Sequence, residues 1–375
     1  MGKEPAEPDW PPLTGREVRW VLARYGQPGG AVVTWHSPRP MSAAALVRAG
    51  RAEAFVKRHH VRVRTAAQLA AEHAFAGHLR DRGVHVPAVW RTPRGATTVR
   101  CGDYVYEVHD PAPGADLYRD APSWTPFAGT AHAWAAGAAL ARLHRAARDF
   151  RRPERRPAVL MNSCAVVLAP DPLAAIAALL RRRPGLARSL AHRRWRDDIA
   201  RYHLPVIARA APLVRALGRQ WGHGDWHPSN LTWDGTGPGA GVASVLDLGL
   251  ANRTCVAHDL AVAIERSAVP WLDLADGGRA EADLPAVDAL LDGYADAAPL
   301  TGEQVAAVAA VLPVAHLEYA LSETEYFADV TGSPAGADLA YDGYLVGHAR
   351  WFTGREGPAL LAHLWRRAAR PPAAP

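Results

Sequence analysis

Along the first hundred residues, short apolar runs alternate with polar breaks; beyond them, apolar positions recur at helical spacing almost to the end. Residues 31–35, 44–47 and 54–57 are apolar runs too short for helices, and the breaks between them carry Pro38, Pro40 and Gly50. Strand-length runs separated by turn formers predict an antiparallel meander. Ahead of it, residues 1–30 read as an irregular arm with one short helix over 15–23. Thr65 stands where a helix cap belongs, with Ala66, Leu69, Ala70, His73 and Leu79 following on one side. A helix is therefore predicted to about Arg82, stopped by Gly83. Residues 97–100 and 104–108 return to strand character, and Asp110-Pro-Ala-Pro-Gly114 is a break. Helical period then dominates, over 127–147, 171–180, 190–217, 286–294, 302–327 and 337–351. One stretch departs from it: 230–233 and 243–248, a hairpin with GTGPGAG at its tip. The pattern predicts an α+β, two-lobed architecture. A small antiparallel-sheet lobe spans 1–108, a larger, mainly helical lobe spans 109–375, and a cleft lies between them.

Composition narrows the class. A chain of 375 residues, 49% apolar and with 13 Trp, has ample material for a core, and its aromatic content excludes disorder for most of it. No window approaches the roughly 18 consecutive apolar residues of a membrane span. The acidic, proline-rich start, MGKEPAEPDWPP, lacks the layout of a signal peptide. Cys101, Cys164 and Cys255 are far apart and form no CxxC pair, which argues for a reducing, cytoplasmic setting and against a zinc ribbon. The net charge of +6 comes with heavy use of Ala and Arg, a coding bias, so it does not predict a nucleic-acid partner. Its distribution says more. Residues 142–219, a basic helical segment, hold 18 Arg against 5 acids, whereas 271–342 hold 14 acids against Arg279 alone. These read either as two solvated helical faces or as two cleft walls carrying different ligands. Arg58, His59 and His60 read as a solvated strand end, and Trp195, Trp271 and Trp351 as packing residues.

The chemistry concentrates in His223-Gly-Asp-Trp-His-Pro-Ser-Asn230, followed by Asp247-Leu-Gly249. The hairpin that Asn230 opens and Asp247 closes brings these two residues together. An amide oxygen beside a carboxylate is a hard-oxygen site suited to Mg²⁺, with phosphates completing the shell. Asp225, held beside them, can accept a proton from an attacking hydroxyl. Lys57 ends the third strand and Glu72 sits mid-helix fifteen residues later. A strand lysine held by a helix carboxylate can be aimed at α- and β-phosphates. These are the parts of phosphoryl transfer. The trio His223, Asp225 and His227 also allows a second reading, a metal-dependent hydrolase.

Taken together, the segments resemble the aminoglycoside phosphotransferase and choline-kinase-like family, small-molecule relatives of the protein kinases. HGDWHPSN is similar to that family's H-G-D-x-x-x-x-N loop, VLDLGLA to its metal-binding strand, and Leu140-Ala-Arg-Leu-His144 and His258-Asp-Leu-Ala261 to two further segments, over roughly 30–265. The resemblance implies a bilobal protein-kinase-like fold and an ATP-dependent, or GTP-dependent, O-phosphotransferase acting on a small-molecule hydroxyl. It implies Asp225 as catalytic aspartate, Asn230 and Asp247 as metal ligands, Lys57 on phosphate with Glu72 orienting it, and backbone groups of Glu107 to His109 on adenine. Two departures stand out. Gly224 occupies the place of the protein-kinase H-R-D arginine, which removes an activation-loop switch and favours a small acceptor. No G-x-G-x-x-G follows the first strand, so Ser37, Arg39, Ser42 or backbone N–H groups would meet the phosphates.

For the acceptor, the acidic late segment suits an aminated sugar, with Glu318, Glu323 and Glu325 on one helix as the candidate face. The acceptor would then be an aminoglycoside-like or other antibiotic. A homoserine- or choline-like primary metabolite and a catalytically idle nucleotide-binding relative stay open. The expected partners are this small molecule, ATP or GTP and Mg²⁺, with neither nucleic acid nor membrane, in a monomer or homodimer.

Overall fold

Thr14 and Thr65 start the first two helices by the same device. Each accepts the N–H three residues on, and the side chain of that third residue, Glu17 or Gln68, returns to the cap's own N–H. In the computed structural model, which describes residues 8–156, 158–275 and 281–370, these helices are α1 (Gly15–Arg24) and α2 (Ala66–Arg80). Between and after them run β1 (Ala31–His36), β2 (Ala43–Ala49), β3 (Ala52–His60), β4 (Val99–Cys101) and β5 (Tyr104–His109). They form one antiparallel sheet in the order β1-β2-β3-β5-β4. α1 buries Val18, Val21 and Leu22 against Ala45, Val47, Val56 and Val108 of the sheet, a separate small core. α2 turns the other way: Phe75, Ala76 and Leu79 join the core of the larger lobe. The helix is thus the mechanical link between the lobes.

The larger lobe begins after an irregular stretch in which Trp124 sits at φ 68°. Its elements are α3 (Thr130–Ala147), α4 (Pro172–Arg182), α5 (Pro184–Leu190), α6 (Trp195–Asp198), α7 (Leu204–Ala216), β6 (Gln220–Gly222), β7 (Leu231–Trp233), β8 (Val242–Val245), β9 (Asn252–Thr254), α8 (Val256–Ala268), α9 (Trp271–Ala275), α10 (Leu284–Ala297), α11 (Gly302–Val311), α12 (Leu317–Glu325), α13 (Pro334–Asp338), α14 (His348–Thr353) and α15 (Gly357–Ala368). The expected helix over 190–217 is broken, with a π-helical turn at Ile199–His203 between α6 and α7. The expected helix over 302–327 runs on through further turns to Thr331. That run, Gly302–Thr331, is long and apolar enough to cross a membrane by composition, but 94% of its most apolar window is buried in this protein. It is the central core helix. The hairpin forms as expected, β7 pairing with β8 around residues 234–241.

One surface expectation is corrected by burial. Arg58 pairs with Glu17, His59 bonds the buried Glu107, and His60 stacks on Trp10 at 5.1 Å, so this strand end is interior. The basic and acidic segments meet in part, Arg183 with Glu325, Arg188 with Asp329, and Arg193 with Asp338 and Asp342, while Arg181, Arg182, Arg194 and Arg196 stay on solvated faces. Trp195, Trp271 and Trp351 all pack in the core as expected, and the last two also line a cavity. Arg279 and the tail after Arg370 lie outside the described residues.

Candidate active site

The loop from His223 to Asn230 is pinned from below by one buried carboxylate. Asp259, near the start of α8, accepts the backbone N–H groups of His223 (2.6 Å) and Gly224 (2.7 Å), and His144 of α3 bonds it at 2.9 Å. Burial works to raise this carboxyl, but His144 and the neighbouring imidazoles outweigh it and hold it below its usual 3.8. The two outlying segments of the family resemblance, ending in His144 and beginning with His258-Asp259, therefore meet each other under the loop. Gly224 itself has φ +75°, and a Cβ there would stand 2.4 Å from the Leu250 carbonyl oxygen. The glycine where protein kinases carry arginine is thus required by space and backbone as well.

Replacing Asp259 by Asn should be costly. An amide cannot accept all three donors, and turning its NH₂ toward one leaves a buried donor unmet, at about 1–3 kcal/mol or more. The sign follows from the depressed carboxyl: its contribution is present above pH 3.8 and fades as pH falls through and below it. Asp259→Asn should lower Tm by several degrees at pH 7, and the gap to the parent should close in strong acid. A constant gap across that range would show that the carboxylate's charge is not what holds the loop.

Asn230 and Asp247 come together as the hairpin requires, with Leu246 N–H donating to the Asn230 carbonyl at 2.8 Å. The Asn230 amide NH₂ donates to the Asp225 carbonyl (2.9 Å), which leaves its amide oxygen without a hydrogen bond among the described residues, and the residue lines the interlobe cavity. Asp247 sits at φ 48°, ψ 76°, a left-handed conformation uncommon outside glycine. One of its carboxylate oxygens accepts the Gly249 N–H (3.1 Å) and the other meets Lys57 Nζ at 3.1 Å. Burial raises this carboxyl, but the Lys57 ammonium, next in size, and the Gly249 N–H hold it well below the usual carboxylate range.

The expected Lys57–Glu72 pair is not formed. Glu72 instead lies 3.6 Å from Arg155, whose guanidinium donates to the carbonyls of Gly249 (2.8 Å) and Ala251 (3.1 Å). Burial pushes Arg155 down to about 10 against the pull of Glu72. Arg64 donates to the same Gly249 carbonyl at 3.2 Å. Glu72 therefore acts, through Arg155, on the turn that carries Asp247. Neither arginine was singled out in the sequence, because each looks like one more Arg in an Arg-rich chain.

Ser37, Arg39 and Ser42 do border the cavity, which encloses about 390 Å³ together with Lys57, Asn230 and Asp247. Arg39 is held across the cleft by the carbonyls of Ala121 (2.7 Å) and Tyr118 (3.0 Å). Glu107 and His109 border it too, but the adenine contact through their stretch of backbone needs correction. Val108 O accepts Trp90 N–H (2.8 Å) and Asp110 N–H donates to Ala88 O (2.9 Å), so residues 88–90 cover that strand edge. The Glu107 carboxylate is enclosed by imidazoles, His59 at 2.9 Å, His73 at 2.5 Å and His109 at 3.3 Å. Burial raises it, and His109 first among the three draws it well below its usual value.

Asp225 stands at the far end of the loop, and its carboxylate is met by Arg266 of α8, a residue only 2% exposed. His227 Nε2 lies 3.4 Å from the same carboxylate, and burial pushes that imidazole down to about 3, so it is neutral. His223 bonds the Leu246 carbonyl at 2.8 Å. Among the described residues the metal-like clusters are His73, Glu107 and His109, and Glu265, His316 and His348; the trio of the hydrolase reading is not one of them. Of the three acids proposed for the acceptor, two are turned inward. Glu318 accepts the Ser163 hydroxyl and the Val166 N–H (2.7 Å), and Glu325 pairs with Arg183. The helix they share is buried on all sides, so a common face at i and i+7 meets neighbouring protein, not the cleft. Glu323 alone reaches a cavity.

The model of the phosphotransferase enzyme family matches residues 42–300. No curated protein matches the chain by sequence. Among solved structures, the microcompartment-associated aminopropanol kinase is 18% identical with a TM-score of 0.56, covering 91% of this chain and 98% of its own. Spectinomycin phosphotransferase in complex with ADP and spectinomycin is 10% identical at 0.55, covering 95% and 100%. The aminoglycoside phosphotransferase of Alicyclobacillus acidocaldarius is 17% identical at 0.53, covering 96% and 97%. At these identities the likeness is one of fold: a kinase-like small sheet lobe on a helical one.

Proposed function

The chain belongs to the phosphotransferase enzyme family, and from that premise we propose that it moves the γ-phosphate of ATP to a hydroxyl of a small molecule, with Asp225 as base. The observation that carries this reading is the convergence of Lys57, Asn230 and Asp247 on one interlobe cavity, with Asp225 tied to Asn230 through its backbone carbonyl at 2.9 Å. In the transfer, the acceptor oxygen bonds to the γ-phosphorus while its proton passes to Asp225. The bond from that phosphorus to the β–γ bridging oxygen breaks, and ADP leaves. Lys57 places a cation beside the phosphates. Arg266 fixes the direction of the Asp225 carboxylate, and Asp259 fixes the loop.

The residues present fit a hard divalent cation. Among the described residues the Asn230 amide oxygen is unclaimed and no sulfur lines the cavity, and the Asp247 carboxylate is held ionised. Bound there, Mg²⁺ would supply neutralising charge to phosphate oxygens. Activity should therefore need magnesium in the millimolar range, vanish with EDTA and return on adding magnesium. The deciding experiment is ADP release by the purified protein across a panel of hydroxyl acceptors, with and without EDTA. Turnover that survives chelation, or returns with zinc alone, would overturn the assignment of Asn230 and Asp247.

A further inference from the structure

On the other side of Arg266 lies a second cavity, of about 430 Å³, and its walls are aromatic. Trp271 stacks on His348 with ring centroids 3.5 Å apart and planes 10° from parallel, and Trp124 packs on Tyr344 at 5.1 Å. Trp351 meets Trp271 edge to face at 5.1 Å. The cavity is a neighbour of the proposed base. The Arg266 guanidinium that meets Asp225 lies 5.4 Å from the Trp124 ring, so one side chain contacts both the carboxylate and the cavity wall. Trp124 holds a left-handed φ of 68°, which a bulky side chain adopts only under strain, and such strain collects at ligand sites.

Two polar atoms in this shell are orphaned. Glu323 is 1% exposed and Tyr344 5%, both line the cavity, and Glu323 Oε1 and the Tyr344 hydroxyl have no hydrogen-bond partner among the described residues. A buried polar group left unmet costs about 1–3 kcal/mol, so native proteins keep few of them. Here they mark where a ligand's polar groups belong. Burial pushes Glu323 up to about 7 against the pull of Arg266. The cavity's other charged side chains are Arg350 and Glu356, of opposite sign. One buried acid can answer one amine. A polyamine sugar would strand its remaining charges among tryptophans, at a cost that excludes it.

We infer that this cavity is the acceptor site and that it takes a monoamine alcohol with a flat apolar body, the amine on Glu323, the body between the aromatic rings and the hydroxyl toward Asp225. The inference rests on the phosphotransferase reading for the hydroxyl's fate, and on the cavity alone for recognition.

The two are separable by experiment. Phenylalaninol carries one amine, one primary hydroxyl and one ring. Ethanolamine lacks the ring, 3-phenylpropan-1-ol lacks the amine, and kanamycin is a polyamine. By calorimetry on the full chain, phenylalaninol should bind at least tenfold more tightly than the other three, and Glu323→Gln and Tyr344→Phe should each weaken it, the first by tenfold or more. Binding of a fluorescent ATP analogue shows whether each variant is folded. In ADP release with phenylalaninol, Glu323→Gln should raise KM more than it lowers kcat. Kanamycin binding as tightly as phenylalaninol, or phenylalaninol binding unchanged in both variants, overturns the inference while leaving phosphoryl transfer intact. Variant-sensitive phenylalaninol binding with no ADP release from any acceptor upholds the cavity and sinks the transferase reading.

Discussion

Asp225→Ala should cut phosphoryl transfer by about 10³-fold, within the range expected for loss of a positioned base. The substitution has a second consequence that must be separated from the first. Arg266 is 2% exposed, its partner is the Asp225 carboxylate, and Glu265 stands 3.7 Å away. Removing one member of a buried pair leaves an uncompensated charge, worth roughly 3–5 kcal/mol of stability. Asp225→Ala should therefore also lower Tm. Asp225→Asn keeps an oxygen for Arg266 and the loop's shape but cannot take a proton from a hydroxyl. If the role is chemical, both variants lose kcat alike when assayed well below their Tm, while binding a fluorescent ATP analogue within a few-fold of the parent. A retained tenth of parental kcat in Asp225→Asn would falsify the assignment of a base.

The contrast between Asp225 and Arg266 shows what the sequence could reveal. The loop was legible because its chemistry is packed into eight consecutive residues, and the hairpin because its strands flank a glycine-rich tip. Helix α8 was not among the predicted helices, although it carries both Asp259 and Arg266. Twelve of its thirteen residues are buried, His258, Asp259, Glu265 and Arg266 among them, so its polar positions mark buried partners and not a solvent face. Short β6 and β9 escaped notice for a related reason: three residues apiece are below the length at which alternation can be seen. The β1–β5 sheet, by contrast, appears where turn residues punctuate the apolar runs.

Ion pairing was the least legible layer. Lys57 and Glu72 share a lobe and sit at a suggestive spacing, yet Lys57 reaches Asp247, 190 residues away, and Glu72 reaches Arg155. Spacing along the chain constrains partners on the same helix or on adjacent strands, and these contacts cross between lobes. The acidic and basic segments followed the same logic. Their counts are opposite and nearly equal, and the fold uses part of that complement to bind α5 and the stretch before α6 to the helices after Leu317. Glu325 is already paired with Arg183 and Glu318 with Ser163 and Val166, so neither is left to recruit an amine, whereas Glu323 keeps a buried carboxylate oxygen without a hydrogen bond among the described residues.

Asp247 is the residue on which the remaining large effect should fall. It is placed to contribute oxygen to the cation, and it is also the ion partner that aims Lys57. Its left-handed backbone makes the choice of variant matter. Alanine adds strain of roughly 1 kcal/mol at φ 48°, whereas asparagine tolerates that region and keeps one oxygen. Asp247→Asn is therefore the clean probe. It removes the charge, leaves the turn, and frees Lys57, whose ammonium burial lowers but Asp247, Glu107 and Glu72 together raise above its usual value. With Glu107 and Glu72 still near, Lys57 stays charged but loses its direction. Transfer should fall by about 10³-fold at 1 mM magnesium, since loss of a metal carboxylate and of electrostatic aim act on the same phosphates. Raising magnesium should recover part of the loss, because an amide oxygen still binds the ion weakly. Lys57→Ala in the same background should then cost far less than it does in the parent, the signature of two residues acting as one unit. Equal costs of Lys57→Ala in both backgrounds, together with a magnesium requirement unchanged by Asp247→Asn, would separate the pair and remove Asp247 from the cation site.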